Sequence, residues 1–130
     1  FWPGELLART EVDRWAEWSK QNIALGFTAP VFWRVVRTPA AERDPQAIAA
    51  AVTALEQKLA IAEARLAGSR YLVGDTFTLA DIQFGHVLYR YFAIDITRRP
   101  LPHLAAYYAR LTARPAFRQH VMVSYDELKV

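Results

Sequence analysis

The segment Tyr71-Leu72-Val73-Gly74-Asp75-Thr76-Phe77-Thr78-Leu79-Ala80-Asp81-Ile82 constrains the fold of this chain more than any other. Gly74-Asp75 supplies a turn. Thr78 then offers a hydroxyl oxygen that can accept a hydrogen bond from an orphan amide of a first helical turn. Asp81, three residues on, can return its carboxylate to the Thr78 backbone N–H, the reciprocal half of a capping box, and it gains from the positive helix end. Phe77 before the cap and Ile82 after it are spaced as a hydrophobic staple. Two locking devices at one helix start predict that the helix they launch carries the core. Asp81 is on this reading a folding device, and losing its side chain is expected to cost about 0.5–2 kcal/mol, the range for a lost cap.

The launched helix covers Leu79–Ala93 and carries Ile82, Phe84, Gly85, Val87, Leu88, Tyr89, Tyr91 and Phe92 around most of its circumference. No charged residue stands between Asp81 and Arg90, so burial on most sides is expected. Gly85 suits close approach of a neighbour, at a propensity cost of about 1 kcal/mol against Ala. His86 reads as a hydrogen-bonded core residue, since no second His or Cys lies at metal-ligand spacing.

Upstream, a helix is predicted from Glu5. Val12, Trp15 or Ala16, Ser19, Ile23 and Phe27 share one face, while Trp18, Asn22 and Leu25 mark a second. Pro30 predicts a kink or a restart before Val31–Val36. Asp44-Pro45 opens the next helix, with Ile48, Val52, Leu55, Leu59 and Leu66 on one stripe and Gly68 as its C-cap. Arg99-Pro100-Leu101-Pro102 is a rigid connection into a helix bearing Leu104, Tyr107 or Tyr108, and Leu111. Pro115 seeds a short last helix with Phe117 and Val121. No strand-period segment or repeat occurs. The prediction is an all-α bundle of about five helices, one domain over residues 1–130.

Composition narrows the chemistry. Hydrophobic residues make up 53% and charged residues 22%, a globular balance. The absence of Cys excludes a disulfide framework and thiolate metal ligation, and fits a reducing cytoplasm. No apolar run reaches the length of a membrane span, so no membrane partner is expected. The net charge of +3 comes with 13 Arg and 3 Lys. Arg110, Arg114 and Arg118 are spaced by four, but Pro115 interrupts them, so nucleic-acid binding is not expected. There is no Gly-rich phosphate loop, no GxSxG elbow and no HExxH. From the residues alone, the reading stops at a helical domain with a possible ligand surface on the Trp18 side of the first helix.

Ordered motifs carry a resemblance further. Arg9-Thr10-Glu11-Val12-Asp13-Arg14-Trp15 resembles the opening helix of the C-terminal domain of cytosolic glutathione transferases. Tyr71-Leu72-Val73-Gly74-Asp75 with Thr78-Leu79-Ala80-Asp81 is similar to that family's capping-box helix. Leu104-Ala105-Ala106-Tyr107-Tyr108 and Ala113-Arg114-Pro115-Ala116-Phe117 are similar to its later helices. The bacterial enzymes look closest.

The resemblance implies that a thioredoxin-like domain of about 80 residues belongs before this one, an ordinary small-domain size. In the family that domain supplies the thiol-activating Tyr, Ser or Cys and most glutathione contacts. Phe1-Trp2-Pro3 then resembles an inter-domain linker, and this chain is expected to be inactive by itself, with no catalytic residue and no metal. Glutathione is implied as a co-substrate rather than a cofactor, and a homodimer is implied for the intact protein. The resemblance implies an electrophile-binding wall on the first helix and the tail, with Trp18, Gln21, Asn22, Leu25, Phe32 and Tyr125 as candidates. Glu17 lies where relatives place an acidic or amide group facing the glutathione amine across the dimer, a sensible charge pairing; otherwise it is a solvated helix face. One bacterial class has a His and a Lys where Ala24 and Leu25 stand here. The alternative is a non-catalytic interaction module of the kind found in translation-factor assemblies, with Arg98, Arg99, Arg110 and Arg114 in its docking surface.

Overall fold

A computed structural model describes residues 1–130. The chain is helical from Leu6 to Val36, as α1 (Leu6–Trp18), a π-helical segment (Ser19–Ala24), α2 (Leu25–Phe27), a second π-helical segment (Thr28–Trp33) and α3 (Arg34–Val36). Glu5 starts this rod by accepting hydrogen bonds from the Leu7 and Ala8 amides at 2.9 and 2.8 Å. Of the two expectations at Pro30, a kink or a restart, the restart does not occur. Proline in an α-helix removes a hydrogen bond and clashes with the carbonyl four residues back. Here Pro30 sits inside the second π segment, whose wider turn accommodates it while the helix runs on.

After a 3₁₀ turn at Ala40–Glu42 come α4 (Pro45–Leu66), α5 (Leu79–Ala93), α6 (Pro102–Thr112) and α7 (Pro115–His120). Counting the rod once, five helices form the bundle; the only β pairing is an isolated bridge, Tyr71 to Gly74. Asp44 caps α4, its Oδ1 accepting from the Gln46 and Ala47 amides at 3.1 Å each. The other end of α4 departs from expectation. Ala67 is the C-cap and stays right-handed, and Gly68 follows without a positive φ. The left-handed residue is Gly74, at φ +76°, where the turn into α5 reverses.

Helix α5 is the centre. The rod packs across it through α1 and the first π segment, α6 lies beside it, and α4 closes the far side against α2 and α6. Phe84, Leu88 and Tyr91 are buried on it. A Cβ built on Gly85 would stand 2.7 Å from Leu111 Cδ1 and 3.2 Å from Phe117 Cε2, so glycine here lets α6 and α7 approach. The start of α5 is pinned from outside as well, because the Leu79 amide donates to the Phe1 carbonyl at 3.0 Å.

Helix α6 has no capping side chain of its own, since Leu101 occupies its N-cap. Glu63, on α4, fills that role from a distance. Its two carboxylate oxygens accept from the His103 and Leu104 amides at 2.9 and 2.7 Å. A carboxylate at a helix N-terminus gains from both the orphan amides and the dipole. Glu63→Ala is therefore expected to lower stability by about 1 kcal/mol, read from the urea midpoint; an unmoved midpoint would mean that water replaces the carboxylate at no cost.

Candidate functional site

Where the second π segment, α5 and α7 meet, the surface opens into a cleft of about 300 Å³. Its apolar lining is Phe27, Phe32, Val87 and Val121, and its polar lining is Thr28, His86, Arg90 and His120. Phe27 and Phe32 are buried with ring centroids 5.9 Å apart. The tail returns to this place. Tyr125 meets Phe32 edge-on at 5.4 Å and Tyr89 at 6.2 Å. The Arg90 guanidinium lies over both aromatic rings, 4.9 Å from the Phe32 centroid and 5.6 Å from that of Tyr125. Such stacking attracts a cation to the ring face but leaves the guanidinium edge N–H groups available.

His86 corrects an expectation. It is exposed rather than in the core, with Nδ1 3.3 Å from the Ile82 carbonyl. A carbonyl oxygen only accepts, so in this contact Nδ1 is the donor. Helical spacing explains the position: Leu79, Ile82 and His86 form the outer stripe of α5, while Ala80, Phe84, Val87, Leu88 and Tyr91 face inward. The burial of α5 on most sides is thus broken by one exposed edge. Phe77 and Ile82 border a separate apolar cleft of about 200 Å³ with Phe1, Phe117 and Val121, and Arg114 lies 3.8 Å above the Phe77 ring.

The structure brings only two of the anticipated wall residues together, Phe32 and Tyr125. Trp18 is turned to the seam between α1 and α5, 5.2 Å from Trp15 and 5.8 Å from Phe84. Asn22 faces α4, where its Oδ1 accepts from Lys58 Nζ at 3.1 Å. Gln21 and Leu25 are on the solvent side of the rod. Glu17 is exposed and its nearest cation is Lys20, 3.9 Å away. Sequence reading missed Thr28, His86, Arg90 and His120, which come from three elements and share no local motif.

Thr78 and Asp81 form a buried polar knot. The Thr78 amide donates to Asp81 Oδ2 at 2.9 Å, which is the expected capping bond. Two further donors arrive from outside the helix: the Leu72 amide at 3.1 Å and the Tyr107 hydroxyl at 2.8 Å, both to Oδ1. Burial raises the Asp81 carboxyl above its usual range, against the lowering effect of these donors. Burial also raises the Tyr107 phenol well above 10, reinforced by the Asp81 charge, and pushes Tyr91 up to about 12. These phenols stay protonated at neutral pH and cannot serve as bases. No group of three or more His, Asp or Glu is placed to hold a metal.

A larger cleft, about 670 Å³, lies between α3, α4 and the segment after α5. Its cations are partly engaged by the fold. Arg98 donates to the carbonyls of Tyr91, Ile94 and Ile96, closing the end of α5, and Arg43 Nε donates to the Thr38 carbonyl at 3.0 Å. Glu56 and Asp95 add negative charge to the same lining. Arg110 binds the Arg70 carbonyl and Arg118 that of Thr112. Arg114 stacks on Phe77, so the three arginines spaced by four serve the fold individually.

The molecule is thus an all-helical domain with a cation-bordered cleft built over aromatic residues. Comparison with known proteins defines its place. The family model of the glutathione S-transferase C-terminal domain matches residues 26–115, and the chain belongs to that family. It is 33% identical over 122 residues to the glutathione S-transferase GstB of Escherichia coli (strain K12), covering 94% of this chain and 58% of that protein. The theta class glutathione S-transferase of Xanthomonas axonopodis pv. citri superposes in its glutathione-bound form with a TM-score of 0.88 at 44% identity, over 95% of this chain and 64% of that one. Elongation factor 1-gamma 1 of Oryza sativa subsp. japonica is 27% identical over 117 residues, covering 88% of this chain and 27% of its own length. The chain therefore spans roughly six-tenths of its bacterial relatives. No helix is long and apolar enough to cross a membrane.

Proposed function

We propose that this chain is the substrate-binding part of a cytoplasmic, homodimeric glutathione transferase that conjugates glutathione to apolar electrophiles, a detoxification-type reaction. An upstream thioredoxin-like domain would hold glutathione and activate its thiol. This chain would supply the wall against which the electrophile lies. The carrying observation is the similarity of this domain to that of a glutathione-bound enzyme, together with a cleft built over Phe27 and Phe32, the latter in contact with Tyr125.

Phe32 and Tyr125 are the centre of the wall in this reading. Gln21 and Leu25, exposed on the rod, extend it, and Glu17 is the group offered to glutathione in the partner subunit. The chain alone is expected to be inactive, because in this reading the thiol-activating residue belongs to the upstream domain. The test is conjugation of 1-chloro-2,4-dinitrobenzene by the chain with its preceding segment and by the chain alone. Turnover by the longer protein only is the expected result. No glutathione affinity in the longer protein would overturn the reading.

A further inference from the structure

We infer that the cleft between the second π segment, α5 and α7 selects electrophiles bearing an anionic group, a carboxylate or its like, and that Arg90 is the residue that selects them. This rests on the transferase reading for the word electrophile, but the recognition of an anion does not. Arg90 is half-buried on the faces of Phe32 and Tyr125. No carboxylate lies within ion-pairing distance of it, since the ion pairs of this chain join other residues. Its guanidinium makes no hydrogen bond within the chain, whereas Arg98, on the segment that follows α5, makes three. Arg90 is thus a half-buried cation whose guanidinium has neither an ion pair nor a hydrogen bond from the fold, leaving its donors available to an anion.

The surroundings carry no opposing charge. His86 and His120 share the cleft with Arg90, Thr28 contributes a hydroxyl, and no Asp or Glu lines it. Among the nearby tail carboxylates, Asp126 already takes Lys129 Nζ at 2.5 Å and the Ser124 hydroxyl at 2.8 Å. Phe27, Phe32 and Val87 beneath the cleft are themselves buried, so its polar groups make most of the surface a ligand would meet. Stacking fixes the guanidinium plane, so a carboxylate can meet its edge in the bidentate geometry that lysine cannot reproduce.

The probe is 4-chloro-3-nitrobenzoate, with its methyl ester as the neutral control. In the transferase reaction the glutathione thiolate forms the C–S bond at the chlorinated carbon and chloride leaves with the C–Cl electron pair, so the carboxylate is a spectator. Binding of both compounds to this chain is measured by NMR titration, for wild type, Arg90→Met and Arg90→Lys, with melting temperatures confirming that each is folded. Methionine keeps the packing on the two rings without the charge. The carboxylate is expected to bind wild type about tenfold more tightly than the ester, a difference of about 1.4 kcal/mol. Arg90→Met should abolish that preference and Arg90→Lys should retain only part of it. Equal affinity for the two compounds, or a preference that survives Arg90→Met, overturns the inference. In the longer protein the same preference should appear in KM rather than kcat. Turnover of the ester without any preference sinks only the anion selection, whereas turnover of neither compound, with the binding preference intact, sinks only the transferase reading.

Discussion

Asp81→Asn is expected to destabilise the domain by about 3 kcal/mol, a fall in Tm on the order of 10 °C, although it changes one oxygen to an NH2 group. The reason is the donor count around a fully buried carboxylate. Oδ1 accepts from the Leu72 amide and the Tyr107 hydroxyl, and Oδ2 accepts from the Thr78 amide and, at 3.4 Å, the Thr78 hydroxyl. The hydroxyls can rotate to become acceptors, but the backbone amides cannot. Whichever way the asparagine turns, its NH2 faces a backbone N–H. Asp81→Ala should cost more, about 3–5 kcal/mol, because it leaves both amides and the phenol unpaired in the interior. A loss below 2 kcal/mol for Asp81→Ala would return this residue to the role of a simple helix cap.

The same site fixes the sign of a pH effect. Burial raises the folded-state value of the Asp81 carboxyl above its ordinary 3.8. The folded chain then binds this proton more tightly than the unfolded chain does. The corresponding stabilisation is fully present below the unfolded value and is lost as pH rises through the raised folded value. Other carboxylates are common to wild type and Asp81→Asn, so the stability gap between the two proteins isolates this contribution. It should narrow between pH 3 and pH 7. A gap that widens over that range would show that the four donors outweigh desolvation.

The contrast between Asp81 and Arg90 explains how much was legible in advance. The Thr78–Asp81 spacing announces a helix start because both partners lie within one turn, and Asp44-Pro45 does the same for α4. Local rules reach that far. They could not show that Leu72 and Tyr107 converge on the same carboxylate, because those contacts join residues 9 and 26 positions apart. This is why a cap-sized cost was expected where a core-sized one follows. Glu63 is a similar case, a cap supplied across 40 residues. Pro30 does not restart the helix because a π turn absorbs it, a state that residue spacing does not signal. At the cleft, His86 was hidden by the apolar residues on either side of it, which made the helix look buried all round. The exposed stripe of Leu79, Ile82 and His86 emerges only once the neighbours of α5 are in place. Arg90 carried no signal, since its meaning comes from the tail residue Tyr125 folding back over it.

Trp18→Ala distinguishes the resemblance-based wall from the observed seam. Trp18 lies half-buried between Trp15 and Phe84, in edge-on contact with both. Phe84 in turn stacks on Tyr107, 5.7 Å between centroids, so the aromatic series connects α1 to α6 through α5. Removing the indole takes away a large apolar surface at the joint between the rod and the central helix, and that joint has no polar contacts to hold it. The loss is expected to be about 2–3 kcal/mol, less than for a fully buried aromatic because one edge of Trp18 is already wet. Phe32→Ala should differ in kind, since Phe32 belongs to the floor of the cleft and supports Arg90. In the longer protein, assayed well below the lowered Tm, Trp18→Ala should leave KM for a neutral aromatic electrophile within about twofold of wild type, less than 0.5 kcal/mol of binding. An unchanged Tm with KM raised tenfold or more would place Trp18 on the ligand instead, and the wall would then extend along the rod to Gln21 and Leu25.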